Sequence, residues 1–194
     1  MTPETGRRPE LAFENPESGE RIVLHPDAPA AGGRVLTWEL FLAPGGRVPS
    51  THAHPGQEER FTVREGRLRF RVGARRITAG PGETVVVPPG TVHRFSNPGG
   101  LPAHATVETR PPLAMAALLG TAAAMARERQ ARRRRLPFRP GDLLELALFM
   151  EEFGQEVRAP YLPAAPVRLA VAALAGLARA LGRDDRYRRL RTRT

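Results

Sequence analysis

Two histidines and a glutamate lie close together in one block of the sequence. The block runs from residue 46 to residue 66, GRVPSTHAHPGQEERFTVREG, and contains His52, His54 and Glu59. Because His52 and His54 are two residues apart, both imidazoles project from the same face of a strand. The Pro-Gly turn before Glu59 is expected to swing the chain back, so that the carboxylate meets the histidines from the neighbouring strand. Two imidazoles with a nearby carboxylate indicate a metal site.

A second block, GETVVVPPGTVHRFSN at residues 82–97, brings in His93 after a Pro-Pro-Gly turn. Together the two blocks resemble the two sequence motifs of the cupin superfamily. The positions that match are Gly46, His52, His54, Glu59 and Gly66 in the first block, and Gly82, Pro88, Pro89, Gly90, His93 and Asn97 in the second. The resemblance implies a small antiparallel jelly-roll barrel from about residue 30 to residue 111. It also implies one divalent metal inside that barrel, coordinated by His52, His54, Glu59 and His93.

This set of donors suits iron, manganese, nickel, copper or zinc and does not choose among them. Three neutral imidazoles and one carboxylate reduce the charge of a divalent ion only to +1, so the ion remains a Lewis acid. Four protein ligands leave up to two octahedral positions for water, substrate or dioxygen. Glu58 is expected to point to the other face of its strand, which makes Glu59 the preferred ligand. His25 and His104 lie outside both motifs and are taken as non-ligands.

The inward positions next to the ligands are apolar. By strand alternation, Phe61 and Val63 share the face of Glu59, and Phe95 shares the face of His93. These three side chains predict an apolar wall that contacts the substrate. Such a pocket favours a small, mostly apolar or aromatic molecule with one chelating end.

The composition excludes several kinds of catalyst. The chain has no cysteine, which removes disulfides, thiolate metal sites and a cysteine nucleophile. All 30 basic residues are arginine, so Schiff-base chemistry and the lysine-containing phosphate-binding loop are also absent. None of the three serines, Ser18, Ser50 and Ser96, lies in a Gly-x-Ser-x-Gly nucleophile turn.

Residues 1–111 are predicted to form an all-β domain. They carry 14 arginines against 12 acidic residues, a balance of +2, and Gly and Pro separate short apolar runs. In one run Leu68, Phe70 and Val72 share a face, which leaves the arginines between them facing solvent or a partner. Seven strands are predicted, at 21–25, 35–42, 60–64, 67–72, 83–87, 92–96 and 103–109.

Residues 112–194 are predicted to form an arginine-rich helical extension. They carry 16 arginines against 8 acidic residues, a balance of +8, and their apolar residues follow a helical period. Three helices are predicted, roughly at 113–129, 142–157 and 166–181. Asp142 is a candidate N-cap and Gly182 a candidate C-terminal stop. The predicted fold class is therefore mainly β, a jelly-roll barrel followed by an α-helical extension.

These features indicate a metal-binding cupin-domain protein that acts on or binds a small metal-chelating molecule, as an oxygenase or an isomerase. No general base is evident, which favours metal-centred redox chemistry over acid–base isomerisation. The alternative is a non-catalytic binding or sensing protein whose basic helical tail mediates dimerisation or contact with a partner. The resemblance to single-domain cupins with a helical tail implies a homodimer.

The basic segments at 131–135 and at the C-terminal end, GRDDRYRRLRTRT, are suited to contact an anionic surface. They lack a helix-turn-helix or zinc-finger signature and the interleaved aromatics of single-strand binders, so nucleic acid is not an expected partner. The longest uncharged stretch, at 111–126, is too short for a transmembrane helix. The amino terminus shows no secretory signal, and a cytoplasmic location is expected.

Overall fold

The computed structural model describes residues 11–24, 35–48, 50–133, 140–160 and 164–191 of the 194-residue chain. Within these ranges nine β-strands precede four α-helices. The strands are β1 Leu11–Asn15, β2 Glu20–Leu24, β3 Leu36–Leu42, β4 Glu58–Glu65, β5 Leu68–Val72, β6 Arg75–Ala79, β7 Thr84–Val87, β8 His93–Ser96 and β9 Ala103–Arg110. The helices are α1 Met115–Arg133, α2 Pro140–Glu152, α3 Ala164–Ala180 and α4 Asp184–Arg191.

The strands form two antiparallel sheets. One has six strands in the order β1-β2-β3-β9-β4-β7, and the other has three in the order β6-β5-β8. The predicted fold class, an antiparallel barrel followed by helices, is confirmed. Each of the seven predicted strands overlaps an observed one, whereas β1 and β6 were not predicted. His25, at the predicted end of the first strand, lies outside the described residues.

Strict alternation of apolar and polar residues packs the interior of the barrel. On β4, Phe61 and Val63 are fully buried, and the residues that alternate with them, Arg60, Thr62 and Arg64, face outward. The pattern on β9 places Ala105 and Val107 opposite them in the register. Phe61 also packs against the ring of Phe70 on β5, with ring centroids 5.3 Å apart. Burial of an aromatic or large aliphatic side chain of this kind stabilises the fold by about 1.5–3 kcal/mol.

The turn between β4 and β5 requires glycine. Gly66 has a φ of +71°, and a Cβ built at this position would lie 2.8 Å from the carbonyl oxygen of Pro102. The left-handed backbone and the close approach of the neighbouring chain both exclude a side chain. Gly66, one of the positions that match the cupin motif, therefore has a structural role.

The helical extension differs from the sequence prediction at two places. The expectation that Asp142 caps a helix is wrong, because α2 begins at Pro140 and Asp142 lies within its first turn. There its carboxylate pairs with Arg132 at 3.1 Å. A fourth helix, α4, was not predicted. The stop at Gly182 is confirmed: its φ is +66°, and Arg183 donates its backbone N–H to the carbonyl of Ala178.

Much of the basic charge of the helical extension is paired within the extension. The side chain of Glu145 is buried, and its oxygens lie 3.3 Å from Arg186 and 3.8 Å from both Arg132 and Arg183. Burial raises the pKa of the Glu145 carboxyl, and the positive charges of Arg186 and Arg132 oppose that shift. Arg191 pairs with Glu152 at 3.0 Å. These arginines therefore bind the helices together.

No single helix among the described residues is long and apolar enough to cross a membrane, although α3 and α4, bent by 100°, meet that length and composition test as a pair.

Candidate metal centre and its cavity

The two motif blocks meet through a short antiparallel bridge between His52 and His93. The backbone N–H of His52 donates to the carbonyl of His93 at 3.1 Å, and the N–H of His93 donates to the carbonyl of His52 at 2.8 Å. Residues directly opposite in an antiparallel pair project to the same side. The two rings accordingly lie beside each other, with centroids 4.4 Å apart, and the ring of His54 is 4.9 Å from that of His52.

Each of the three imidazoles is oriented by a backbone carbonyl. The Nδ1 atoms of His52, His54 and His93 lie 2.9, 2.5 and 3.1 Å from the carbonyl oxygens of Ser50, Glu156 and Thr91, respectively. A carbonyl only accepts, so each Nδ1 carries the proton and donates it. In neutral rings this leaves Nε2 with a free lone pair, the arrangement usual for metal-binding histidines. One ligand atom from each histidine lies within 4.8 Å of the other two.

Glu59 brings a carboxylate to the same place from β4. Its Oε2 atom lies 3.1 Å from Nε2 of His93 and 3.4 Å from Nε2 of His54. Donor atoms about 2.1 Å from one ion are about 3.0 Å apart at a right angle and about 3.4 Å apart at a tetrahedral angle. The two measured separations match those of adjacent ligands on one ion.

The charge states of these groups also suit a cation. Burial away from water, together with the charges of His93 and His54, lowers the pKa of His52 to about 4. Burial alone raises the pKa of the Glu59 carboxyl, but the histidine rings beside it, His93 foremost, lower that pKa below its usual value overall, because any proton they carry favours the ionised carboxylate. Neutral imidazole and ionised carboxylate are the forms in which these residues bind metals.

Glu59 Oε2 and His93 Nε2 are fully buried and have no hydrogen-bond partner of good geometry within the described part of the chain. Both are acceptors when the ring is protonated on Nδ1, and two buried acceptors at 3.1 Å need a positive charge between or beside them. That charge is either an extra proton or a metal ion. The residues present therefore fit a divalent transition metal.

Three of the four candidate ligands, His52, His54 and Glu59, line a cavity of about 210 Å³ that is apolar on most sides, and His93 lies behind them. The barrel contributes residues such as Ile22, Trp38 and Phe95. The helical extension closes the opposite side with α1, Phe149 and Val157. The α1 residues are Met115, Leu118, Leu119, Ala122 and Ala123. Because sites for drug-sized ligands measure about 300–1,000 Å³, this one suits a molecule of few atoms.

Glu20, on β2, adds a second carboxyl group to the cavity wall, which sequence reasoning missed. It is 8% exposed, and the hydroxyl of Ser18 donates a hydrogen bond to its Oε2 atom at 2.6 Å. Burial raises the pKa of Glu20 to about 7, against the opposing effect of Ser18. The sequence could have indicated that Glu20 points inward, because Glu20 shares its strand face with the apolar residues Ile22 and Leu24.

The other residues singled out from the sequence take separate positions. Phe95 lines the cavity, whereas Phe61 and Val63 are buried in the barrel core and are not among the residues around the cavity. Glu58 lies on the outer face of β4 and pairs with Arg60 at 2.8 Å. His104 lies on the outer side of β9, where it pairs with Glu39 at 2.7 Å and stacks on Phe41.

The helical extension contacts the metal site directly. The carbonyl that orients His54 belongs to Glu156, just beyond α2, and the adjacent residues Ala53 and Arg158 form an antiparallel bridge. The side chain of Glu156 accepts a hydrogen bond from the backbone N–H of Ala114 at 3.3 Å. The short segment after α2 therefore contacts both the candidate ligand His54 and Ala114, the residue that precedes α1.

Residues 38–107 match the sequence model of the cupin domain family. Among solved structures, the chain is similar to a sugar phosphate isomerase from a cupin superfamily of Silicibacter pomeroyi. The identity is 26%, the match covers 47% of this chain and 59% of that one, and the TM-score is 0.43. It is also similar to TT1209 from Thermus thermophilus, with 29% identity, coverage of 52% and 90%, and a TM-score of 0.44. A predicted oxalate decarboxylase from Thermotoga maritima shows 18% identity, coverage of 53% and 91%, and a TM-score of 0.46.

No curated protein sequence matches the chain. The chain spans less than two thirds of the length of the Silicibacter isomerase. The family match and the two motif blocks together show that the chain carries a cupin domain, to which a helical C-terminal region is added.

Proposed function

We propose that the protein is a metal-dependent enzyme that acts on a small molecule with a chelating end and an apolar body. The observation that carries this proposal is the cluster of acceptor atoms, three imidazole nitrogens and the Glu59 carboxylate, beside an apolar cavity, with every member except His52 buried. His52, His54, Glu59 and His93 would hold the metal. A divalent metal bound there supplies a Lewis acid that polarises an oxygen atom of the substrate.

The position of Glu20 favours proton transfer as the reaction type. Its carboxyl group lines the same cavity and lies outside the ligand cluster. Glu20 would accept a proton from a hydroxyl-bearing carbon atom next to a carbonyl group and return it to the carbonyl carbon, while the hydroxyl proton passes to the former carbonyl oxygen and the carbonyl moves to the neighbouring carbon. One C–H bond breaks and another forms without net oxidation, which is an isomerisation. The sequence near the ligands shows no general base, which favoured redox chemistry. Glu20 reaches the cavity from β2 and reverses that preference.

The metal proposal is tested by elemental analysis of protein purified without chelators. We expect about one equivalent of a divalent transition metal in the wild type and most of it lost in His93→Ala, because one ligand and its buried lone pair are removed. His104→Ala is the matched control, since His104 lies outside the cavity, and Glu20→Gln should also keep the metal. Circular dichroism checks that each variant is folded. Metal retained in His93→Ala, or lost equally from His104→Ala, contradicts the assignment.

We also propose that the protein is a homodimer and that α3 forms its interface. The helix is rich in alanine, leucine and valine, yet only Ala175 and Ala178 are buried among its described side chains, and Leu169 is 73% exposed. An exposed apolar helix of this kind is stabilised when a second copy covers it. Sedimentation velocity of the wild type and of a variant at Leu169 tests this proposal.

A further inference from the structure

The outer face of the three-stranded sheet carries a concentrated positive charge that the proposed function does not use. Five exposed arginines there line a concave space with a volume of about 730 Å³, which we call the arginine groove. The five are Arg47, Arg69, Arg71, Arg76 and Arg94. No aspartate or glutamate is among the described residues that line it, and its other polar side chains are Ser50, Thr51, Ser96 and Asn97.

The strand register places like charges opposite one another. Arg71 on β5 lies directly opposite Arg76 on β6 and Arg94 on β8. Two residues along β5, on the same face, Arg69 lies opposite Ser96, which is bridged in turn to Arg47. Like charges directly opposite in an antiparallel sheet destabilise the fold. A ligand that brings negative charge removes this repulsion.

The arginines of the groove have no carboxylate partner among the residues that the structure describes. Within the described chain none of the five lies within 4.0 Å of an acidic group, and Arg71 makes a single contact, from Nε to the carbonyl of Gly73 at 3.4 Å. The arginines of α4 behave differently, since Arg186 and Arg191 are paired with acids of the helical extension.

The outer face of the six-stranded sheet shows that composition alone does not cause this pattern. There the basic residues alternate with acids: Arg60 pairs with Glu58 at 2.8 Å, and Arg110 pairs with Glu108 at 2.9 Å. The same chain therefore neutralises one exposed sheet face and leaves the other positively charged.

We propose that the arginine groove binds a compact oligophosphate, the diphosphate or triphosphate group of a small molecule. Guanidinium groups form paired, charge-assisted hydrogen bonds with phosphate oxygens, and several of them facing one concave space suit several linked phosphates. The volume of about 730 Å³ lies within the range of small-molecule sites.

The size of the groove favours a small polyanion over nucleic acid. The arginines lie on four neighbouring chain segments, about 14 Å across at a strand spacing of about 4.8 Å, and in two rows about 7 Å apart. A patch of about 14 by 7 Å is small beside the interface of even a single DNA-binding module, which buries roughly 600–1,000 Å² of protein surface. The groove and the metal cavity share wall residues, including Val48 and Phe95, but no arginine of the groove lines the cavity.

Calorimetric titration of the full-length protein with inorganic tripolyphosphate tests the proposal. We expect one site in the wild type and at least about tenfold weaker binding in the double variant Arg71→Gln/Arg94→Gln, because two charged donors are lost. The matched control is Arg60→Gln/Arg110→Gln, which removes the same charge from the other sheet and should change the affinity less than about twofold. His93→Ala should bind as tightly as the wild type, which separates the groove from any chelation of a bound metal.

Several results would overturn the proposal. They are an absence of binding to the wild type, equal weakening in the control variant, and loss of binding in His93→Ala. Tighter binding of a 20-nucleotide single-stranded RNA than of tripolyphosphate at the same salt concentration would assign the groove to nucleic acid instead. The Arg71→Gln/Arg94→Gln variant should melt no lower than the wild type, because like-charge repulsion is relieved. A clear drop in its melting temperature would show that these arginines stabilise the fold.

Discussion

Replacing Glu20 with glutamine tests whether a buried carboxyl group lies in the cavity without a compensating charge. The two side chains have nearly the same shape, and the glutamine oxygen still accepts the hydrogen bond from Ser18. The change therefore removes the titration of one group and little else. The other titratable groups around the cavity, His52, His54 and Glu59, are the same in both proteins, so their effects cancel in the comparison.

The expected effect follows from the two pKa values. The pKa of Glu20 is raised from 4.5 to about 7 in the folded protein, so the folded state binds this proton more tightly than the unfolded state. The resulting stability is fully present below pH 4.5 and is lost as the pH rises through 7. This difference between the folded and unfolded pKa corresponds to about 3 kcal/mol in total, most of which is lost between pH 5 and pH 8.

The assay is urea unfolding of chelator-treated protein at pH 5 and at pH 8, followed by circular dichroism. The free energy of unfolding of the wild type, relative to Glu20→Gln, should fall by about 2–3 kcal/mol between the two pH values. Glu14→Gln, at an exposed site on the neighbouring strand β1, is the control for the same chemical change. If the difference in free energy of unfolding between the wild type and Glu20→Gln changes by less than about 0.5 kcal/mol from pH 5 to pH 8, the burial argument is refuted.

Two further predictions concern the barrel and the dimer. Gly66→Ala should destabilise the protein by at least about 1 kcal/mol more than Gly73→Ala in urea unfolding, because both glycines have positive φ but only Gly66 has a close neighbour. Equal losses would show that steric contact contributes nothing. In sedimentation velocity, Leu169→Glu should convert a dimer to a monomer, whereas Leu101→Glu, at a loop residue of similar exposure, should not. A monomeric wild type would end the dimer proposal.

The candidate metal ligands were predictable because their signal is local. His52 and His54 share a face by strand alternation, and the turns that bring Glu59 and His93 to them lie within each motif block. Alternation likewise predicted the inward faces of β4 and β5. Interactions within a few residues leave a pattern that a single sequence displays.

Longer-range features were not predictable in the same way. Glu20 reaches the cavity only through the pairing of β2 with β3, and the partner of His54 is the backbone carbonyl of Glu156, an atom that every residue possesses. Strand β6 begins with two arginines, and α4 is mostly charged, so neither shows the apolar period on which strand and helix predictions depend.

Charge was predictable in amount and, on β5, in the face that it occupies, but the pairing of charges between distant elements was not predictable. The net charge of +8 after residue 111 indicated that the tail was the basic surface of the protein. In the structure, the buried carboxylate of Glu145 lies close to three of the tail's arginines, Arg132, Arg183 and Arg186. The barrel has a balance of only +2, yet it carries the arginine groove, because a sum over residues does not record which face each one occupies.

The hydrogen bond between His54 and the carbonyl of Glu156 also sets an order of events during synthesis. The two residues are 102 positions apart, and the barrel residues leave the ribosome first. At about 5–20 residues per second, roughly 5–20 s separate the appearance of His54 from that of its partner. During that interval a nascent barrel has an imidazole that is free to rotate and a mouth not yet covered by α1 and α2. If the proposed metal binds, an ion captured in that interval would meet an open site, whereas an ion arriving later would have to pass the helices that cover it.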